Sequence, residues 1–150
     1  MKPAIEFLLN TATATQIANH LRYCDKDFLP PLRDRVEITG YAQKIVSKAT
    51  RFEAWANGTL IGLVAVYCND QKNGIAHITN VSVLKAWVGQ GIATRLMTQC
   101  IEHVITVGMV RVCLEVASEN LPAIKLYKKH GFVDDKASDA VAVMSLYLKR

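Results

Sequence analysis

The chain reads as an α/β protein built on one mixed sheet, in the order β-α-α-β-β-β-α-β-α-β-β. Three observations predict this. Asn57-Gly58 separates two strand-like runs, Phe52 to Ala56 and Leu60 to Cys68. It is a strong hairpin signal, because both turn positions tolerate positive φ. Next, a run ending near Leu84 passes through a glycine-bearing turn, Gly89-Gln90-Gly91. Apolar residues then recur at helical spacing, at Ile92/Ala93, Leu96/Met97, Cys100/Ile101 and Val104/Ile105. Finally, Gly108 stops that helix and Val110 to Val116 returns as a strand. Strand, helix and strand in that order predict a right-handed parallel crossover, with ligands favoured where the strands end and the helix begins.

The remaining elements follow from local signals. Ile5 to Leu9 is a short strand, and Thr11 or Thr13 caps a helix carrying Ile17, Ala18 and Leu21. Tyr23 to Leu32 holds two prolines and is a loop, either lining a substrate site or tucking Phe28 into the core. Val36, Ile38, Tyr41, Ala42, Ile45 and Val46 repeat with helical period up to about Lys48. After the hairpin, the polar turn Asn69 to Gly74 leads into a third antiparallel strand, Ile75 to Leu84. Ser118 or Asn120 caps a last helix, with Pro122 in its first turn, running through Ile124, Leu126 and Tyr127 to Gly131. Phe132-Val133 and Ala140 to Leu148 complete the sheet.

Length and composition narrow the function classes. At 150 residues the chain suits a single domain spanning 1–150, with a proper core. Hydrophobic residues at 51% against 21% charged argue against a disordered tail. The longest apolar run, near Leu60 to Val66, is broken by Gly62 and too short to span a bilayer. The N-terminus lacks a basic region followed by an apolar core, so a cytoplasmic protein with no membrane partner is expected. Cys24, Cys68, Cys100 and Cys113 form no Cys-x-x-Cys pair, which predicts reduced thiols and no metal site. Cys100 and Cys113 read as small hydrophobes within their elements. A net charge of +5 favours anionic partners. The basic residues are scattered, without the run interleaved with aromatics that nucleic-acid binding calls for, whereas a polyanionic small molecule fits.

The turn from Val88 to Ala93 carries the first chemical signal. A glycine turn feeding a helix start presents N–H groups without intrahelical partners, at the positive end of the helix dipole. Phosphate oxygens suit such a cradle. A plain loop requiring a small residue has the same spacing, so the turn leaves both readings open.

Two segments together carry a resemblance. One runs from Asn80-Val81-Ser82-Val83 into Val88-Gly89-Gln90-Gly91-Ile92-Ala93, and the other from Leu114-Glu115-Val116 through Asn120, Ala123 and Leu126-Tyr127 to Gly131-Phe132. In that order and on those elements, they resemble the acetyl-CoA pyrophosphate loop and the closing motif of the GCN5-related N-acetyltransferases (GNAT). Nearly the whole chain is covered.

The resemblance implies the GNAT acyl-CoA N-acyltransferase fold and direct acetyl transfer from acetyl-CoA to an amine in a ternary complex, with no protein nucleophile. It implies that the pantetheine arm lies along Asn80, Val81, Ser82 and Val83 as an added strand would. The pyrophosphate would rest on Val88, Gly89, Gly91, Ile92, Ala93 and Thr94, with Asn120 touching the arm or capping its helix. Tyr127 matches the tyrosine that protonates the departing thiolate in many members, although a tyrosine beside Leu126 also suits plain packing. Glu115 is a candidate base, because some peptide-directed members such as the ribosomal-protein alanine acetyltransferases have one in a matching Leu-Glu-Val segment. His77, Asn80 or a water chain are alternatives, and His77 equally suits a sheet histidine. Val88 stands where Arg or Gln is usual, which keeps the main-chain donors and removes a side-chain contact.

The resemblance implies that the acceptor meets Tyr23 to Leu32, with Phe28 in it and Asp25 and Asp27 available to hold a cation, and Asp134 to Asp139, although both segments equally suit solvated loops. Three functions compete: acetylation of a small-molecule amine, acetylation of a protein N-terminus or lysine, and acyl-CoA or partner binding without transfer. A homodimer is frequent in the family.

Overall fold

The computed structural model describes residues 3–28 and 31–148, so Leu29 and Pro30 of the expected acceptor loop lie outside the described residues. The elements are β1 (Glu6–Leu9), α1 (Ala14–Cys24), α2 (Ile38–Lys48), β2 (Thr50–Ala56), β3 (Thr59–Asp70), β4 (Ile75–Val83), α3 (Ile92–Thr106), β5 (Arg111–Ala117), α4 (Leu121–Lys129), β6 (Val133–Ala137) and β7 (Val141–Tyr147). This is the order expected from the sequence. Short 3₁₀ turns at Asp25–Asp27 and Leu32–Asp34 stand where a loop was expected, on either side of the undescribed pair.

Local chemistry accounts for most boundaries. Thr13, rather than Thr11, caps α1, its hydroxyl accepting from Gln16 N–H while the Gln16 side chain accepts from Thr13 N–H. This reciprocal box satisfies two helix-end donors. Asn57 and Gly58 take φ of 51° and 74°, so the β2–β3 hairpin closes through two left-handed residues. Helix α3 begins at Ile92, directly after the glycine turn, because Gly91 (φ 79°, ψ 9°) is left-handed and serves as the cap.

The sheet order is β1-β2-β3-β4-β5-β7-β6, antiparallel everywhere except between β4 and β5. Two apolar layers cover it. On one face α3 and α4 bury Leu96, Met97, Cys100, Val104 and Tyr127, joined by Phe132 after α4, against Val64, Val66, Leu114 and Met144. On the other, α1 and α2 bury Ile17, Leu21, Ala42 and Ile45 against Trp55, Leu60, Leu63 and Ala65. Burial of such side chains contributes roughly 1.5–3 kcal/mol each.

Two irregularities in β4 set up the site. Ile78 pairs with Val66 and Asn80 with Ala65, which leaves Thr79 as an extra, bulged residue. A bulge switches which face the following side chains take. Before it Ala76 and Ile78 pack on the α3 layer, and after it Val81 and Val83 do. Asn80 and Ser82 are thereby turned toward α1. Tyr41 of α2 pins the bulge, its hydroxyl 2.7 Å from both Thr79 O and Thr79 Oγ1.

The second irregularity is the parallel pair itself. Strands β4 and β5 match only at Ile75↔Arg111, Ala76↔Val112 and His77↔Cys113. From Ile78 and Leu114 onward they part, while β5 keeps its full pairing to β7. The sheet is split like a V, open toward the start of α3.

Candidate active site

A cavity of about 440 Å³ occupies this split. Because the sheet is parted here, the cavity is lined from both helical layers: Ala93, Thr94, Leu126 and Tyr127 on one side, Cys24, Asp27, Phe28 and Arg35 on the other. Val81, Ser82 and Val83 line it along the β4 edge, and Leu114, Glu115 and Val116 along β5. An unpaired strand edge offers main-chain donors and acceptors to an extended ligand, as in strand addition.

At the open end lies the glycine turn. Gly89 and Gly91 have φ of 87° and 79°, and a Cβ built on either would meet no atom within 4 Å. Their bareness thus serves the backbone conformation and leaves open space above it. The cap of α3 has no side chain, so no side-chain bond reaches the first turn, and Arg95 N–H is the first to find an intrahelical acceptor, at Gly91 O. The main chain of Ile92, Ala93 and Thr94 therefore presents donors at the positive helix end. Val88 is 65% exposed beside them. These residues fit a diphosphate by the chemistry of their donors.

Asn120 caps α4 by accepting from Ala123 N–H at 3.3 Å, and it lines the cavity as well. Tyr127, two turns into α4, is buried, with its ring 6.0 Å from that of Phe132. Among the described residues its hydroxyl makes no hydrogen bond, and the side chain borders the cavity. Burial pushes the phenol up to about 12, so it is a protonated donor at neutral pH. Glu115 is exposed and borders the same cavity from β5.

On the α1 face a buried polar chain runs behind the site. His20 Nδ1 donates to Leu60 O at 2.8 Å, and His20 Nε2 lies 2.8 Å from Ser82 Oγ. Asn80 Nδ2 donates to Ser82 Oγ at 2.8 Å and to Leu63 O at 3.3 Å. Ser82, expected beside the cofactor, commits its hydroxyl to this chain. Burial lowers the His20 pKa to about 4 despite the bond to Leu60, so the imidazole is neutral. Cys24 Sγ sits 3.8 Å from His20 Nε2, and burial pushes that thiol up to about 12.

A pH dependence follows. Unfolded, His20 protonates near 6.5; folded, it stays neutral until about 4. Between these values the unfolded chain binds the extra proton, so acid weakens folding by up to about 3 kcal/mol across that window. Thermal melts from pH 7 to pH 4 should show the decline, and His20→Phe should flatten it; equal slopes in both proteins would contradict the assignment.

Several expectations are corrected. His77 lies outside the cavity lining, with its Nδ1 3.6 Å from Cys113 Sγ, because it precedes the point where β4 and β5 part. Burial lowers its pKa, opposed by the Glu115 carboxylate and reinforced by Lys44. Cys113 is therefore not a core hydrophobe; it faces away from Val112 and Leu114, and its thiol also donates to Ala76 O at 3.6 Å. Asp25 does not stand free for a cation, since it accepts from Arg33 N–H at 2.7 Å and pairs with Arg33 Nη1 at 2.6 Å. Asp134 to Asp139 belongs mostly to β6 and borders none of the cavity; Asp135 accepts from Ser145 and Tyr147 hydroxyls at 2.8 and 3.2 Å. Phe28 does border the cavity, under the Arg35 guanidinium at 5.9 Å from the ring centroid.

Cys24, His20, Arg35 and Trp87 were missed by sequence reasoning. Only His20 left a trace, as a polar residue on the apolar stripe of Ile17, Leu21 and Cys24. No described helix is long and apolar enough to cross a membrane.

The model of the acetyltransferase (GNAT) family matches residues 15–132, and the chain belongs to that family. Over 86 residues, 57% of its length, it is 30% identical to N-alpha-acetyltransferase MAK3 of Arabidopsis thaliana, and the match spans 45% of that relative. The ribosomal-protein-S18-alanine N-acetyltransferase of Escherichia coli has the same fold, with a TM-score of 0.74 at 19% identity over 98% of this chain and 94% of that one. A Bacillus anthracis protein described as a streptothricin acetyltransferase, solved with acetyl coenzyme A, matches at 26% identity and a TM-score of 0.59, over 67% of this chain and 63% of its own.

Proposed function

We propose that the protein is an N-acetyltransferase that moves the acetyl group of acetyl-CoA to the primary amine of a small molecule. The observation that carries this reading is the cavity at the β4/β5 split, bordered by the glycine turn at one end and by Tyr127, Asn80 and Glu115 within. The thioester supplies an activated acyl group that a neutral amine can attack directly.

The chain's own residues supply the rest. Main-chain groups of Val81, Ser82 and Val83 hold the pantetheine arm, and those of Val88, Gly89, Gly91, Ile92, Ala93 and Thr94 hold the diphosphate. Asn120 borders the arm. Glu115 takes the amine proton, and Tyr127 gives a proton to the leaving sulfur, where negative charge develops. Asp27, Phe28 and Arg35 line the cavity from the side opposite Tyr127, where the acceptor is placed, which favours a compact amine. A second reading, acetylation of a peptide N-terminus, draws support from the names of the Arabidopsis and Escherichia proteins.

Isothermal titration with acetyl-CoA, followed by a thiol-release assay over primary amines and peptides, tests the proposal. Saturable binding and CoA release with small amines are expected. Release with peptides alone moves the acceptor to the second reading. Binding without release on any acceptor makes the protein an acyl-CoA binder, and absence of binding defeats the proposal.

A further inference from the structure

The directions of the hydrogen bonds that run from Leu60 O through His20 and Ser82 to Asn80 can be fixed. Leu60 O can only accept, so His20 Nδ1 carries the proton and neutral Nε2 is an acceptor. The Ser82 hydroxyl must then donate to Nε2, which leaves its oxygen to accept from Asn80 Nδ2. The second Nδ2 hydrogen goes to Leu63 O, another obligate acceptor. Both amide hydrogens of Asn80 are thus consumed, by two partners that agree on which way round the amide sits. Its Oδ1 has no hydrogen-bond partner among the described residues, and Asn80 lines the cavity.

We propose that Asn80 Oδ1 is the hydrogen-bond acceptor that holds an N–H of the incoming amine, and that His20 and Ser82 are positioning residues that keep the amide from flipping. This rests on the acetyl-transfer reading above. The placement suits the role, because the bulge at Thr79 turns Asn80 to the α1 face, away from the β4 edge where Val81 and Val83 pack on the α3 layer. Cofactor and acceptor are thereby assigned to opposite sides of one strand. A flipped amide would present N–H instead, which repels a protonated amine and ties up the lone pair with which a neutral amine must attack. The selectivity expected is for acceptors with a free N–H, bound through a neutral oxygen that does not itself take the proton.

Steady-state kinetics on an amine that the wild-type protein acetylates, with acetyl-CoA titrated calorimetrically, provides the test. Asn80→Leu should raise the amine KM about 10–100-fold, as for loss of a hydrogen bond to a charged group, with the acetyl-CoA Kd unchanged. His20→Phe leaves the Ser82 hydroxyl without its acceptor and should raise the amine KM about tenfold through the amide. Adding Ser82→Ala to His20→Phe should cost nothing further, since both act through Asn80. An unchanged amine KM in folded Asn80→Leu, or additive losses in the double variant, overturns the proposal while acetyl transfer stands. Failure of the wild-type protein to release CoA with any amine overturns instead the reading on which it rests.

Discussion

Replacing Tyr127 by Phe should lower turnover about 10²–10⁴-fold, the range of a positioned general acid, and leave the Kd for acetyl-CoA nearly unchanged. The ring is held by burial in the α3/α4 layer and by Phe132, and Phe fills the same space. Only the hydroxyl is lost, and among the described residues it has no structural partner. A packing tyrosine would therefore tolerate the change with little effect on rate. Because burial raises the phenol to about 12, its protonated form persists through neutral pH, and its loss should reduce the rate uniformly there without moving the profile. Pre-steady-state CoA release in both proteins, alongside calorimetry, is the measurement. Unchanged turnover would remove Tyr127 as the acid and leave the leaving sulfur to water.

Glu53→Ala should destabilise the fold by about 3–5 kcal/mol, the cost of leaving a buried partner charge uncompensated. Glu53 is fully buried at the centre of β2. Its Oε1 accepts from Thr11 Oγ1 at 2.6 Å, from Trp55 Nε1 at 3.0 Å and from Thr11 N–H at 3.2 Å, and its Oε2 from Ala12 N–H at 3.0 Å. Arg51 Nε lies 3.6 Å from Oε2, close enough for an ion pair and too far for a hydrogen bond, so the charge of Glu53 is its counterion. All these partners donate to Glu53, and each carboxylate oxygen faces at least one N–H that cannot accept. Glu53→Gln should therefore also fail to restore stability, since an amide N–H would face them. Chemical denaturation reads both variants, and a loss below about 1 kcal/mol for Glu53→Ala would refute the assignment. The consequence reaches the site, because Thr11 and Ala12 lead into α1, which carries Cys24 to the cavity and His20 to the polar chain behind it.

These two residues differ in how far they were legible. Tyr127 could be picked out from its neighbours in the chain, because Asn120, Leu126, Gly131 and Phe132 form a contiguous pattern on one helix and its ends. Nothing near Glu53 in the sequence distinguishes it from any carboxylate in a strand. Apart from Arg51 and Trp55, its partners lie 41 and 42 residues away and meet it only when β1 docks on β2.

What the sequence determined by itself is everything set by short-range backbone preference. The Asn57-Gly58 hairpin, the turn at Gly89 and Gly91 and the apolar period of α3 each depend on residues within one or two turns, and the caps of α1 and α4 are narrowed to two candidates each in the same way. The element order follows from them. Tertiary structure alone decided where β4 and β5 part, which face Asn80 and Ser82 take after the bulge, and that His77 stays outside the cavity. It also brought His20 to Ser82 across 62 residues. The physical reason is that pairing register and side-chain facing are properties of two strands at once, and one residue of slip reverses every side chain beyond it.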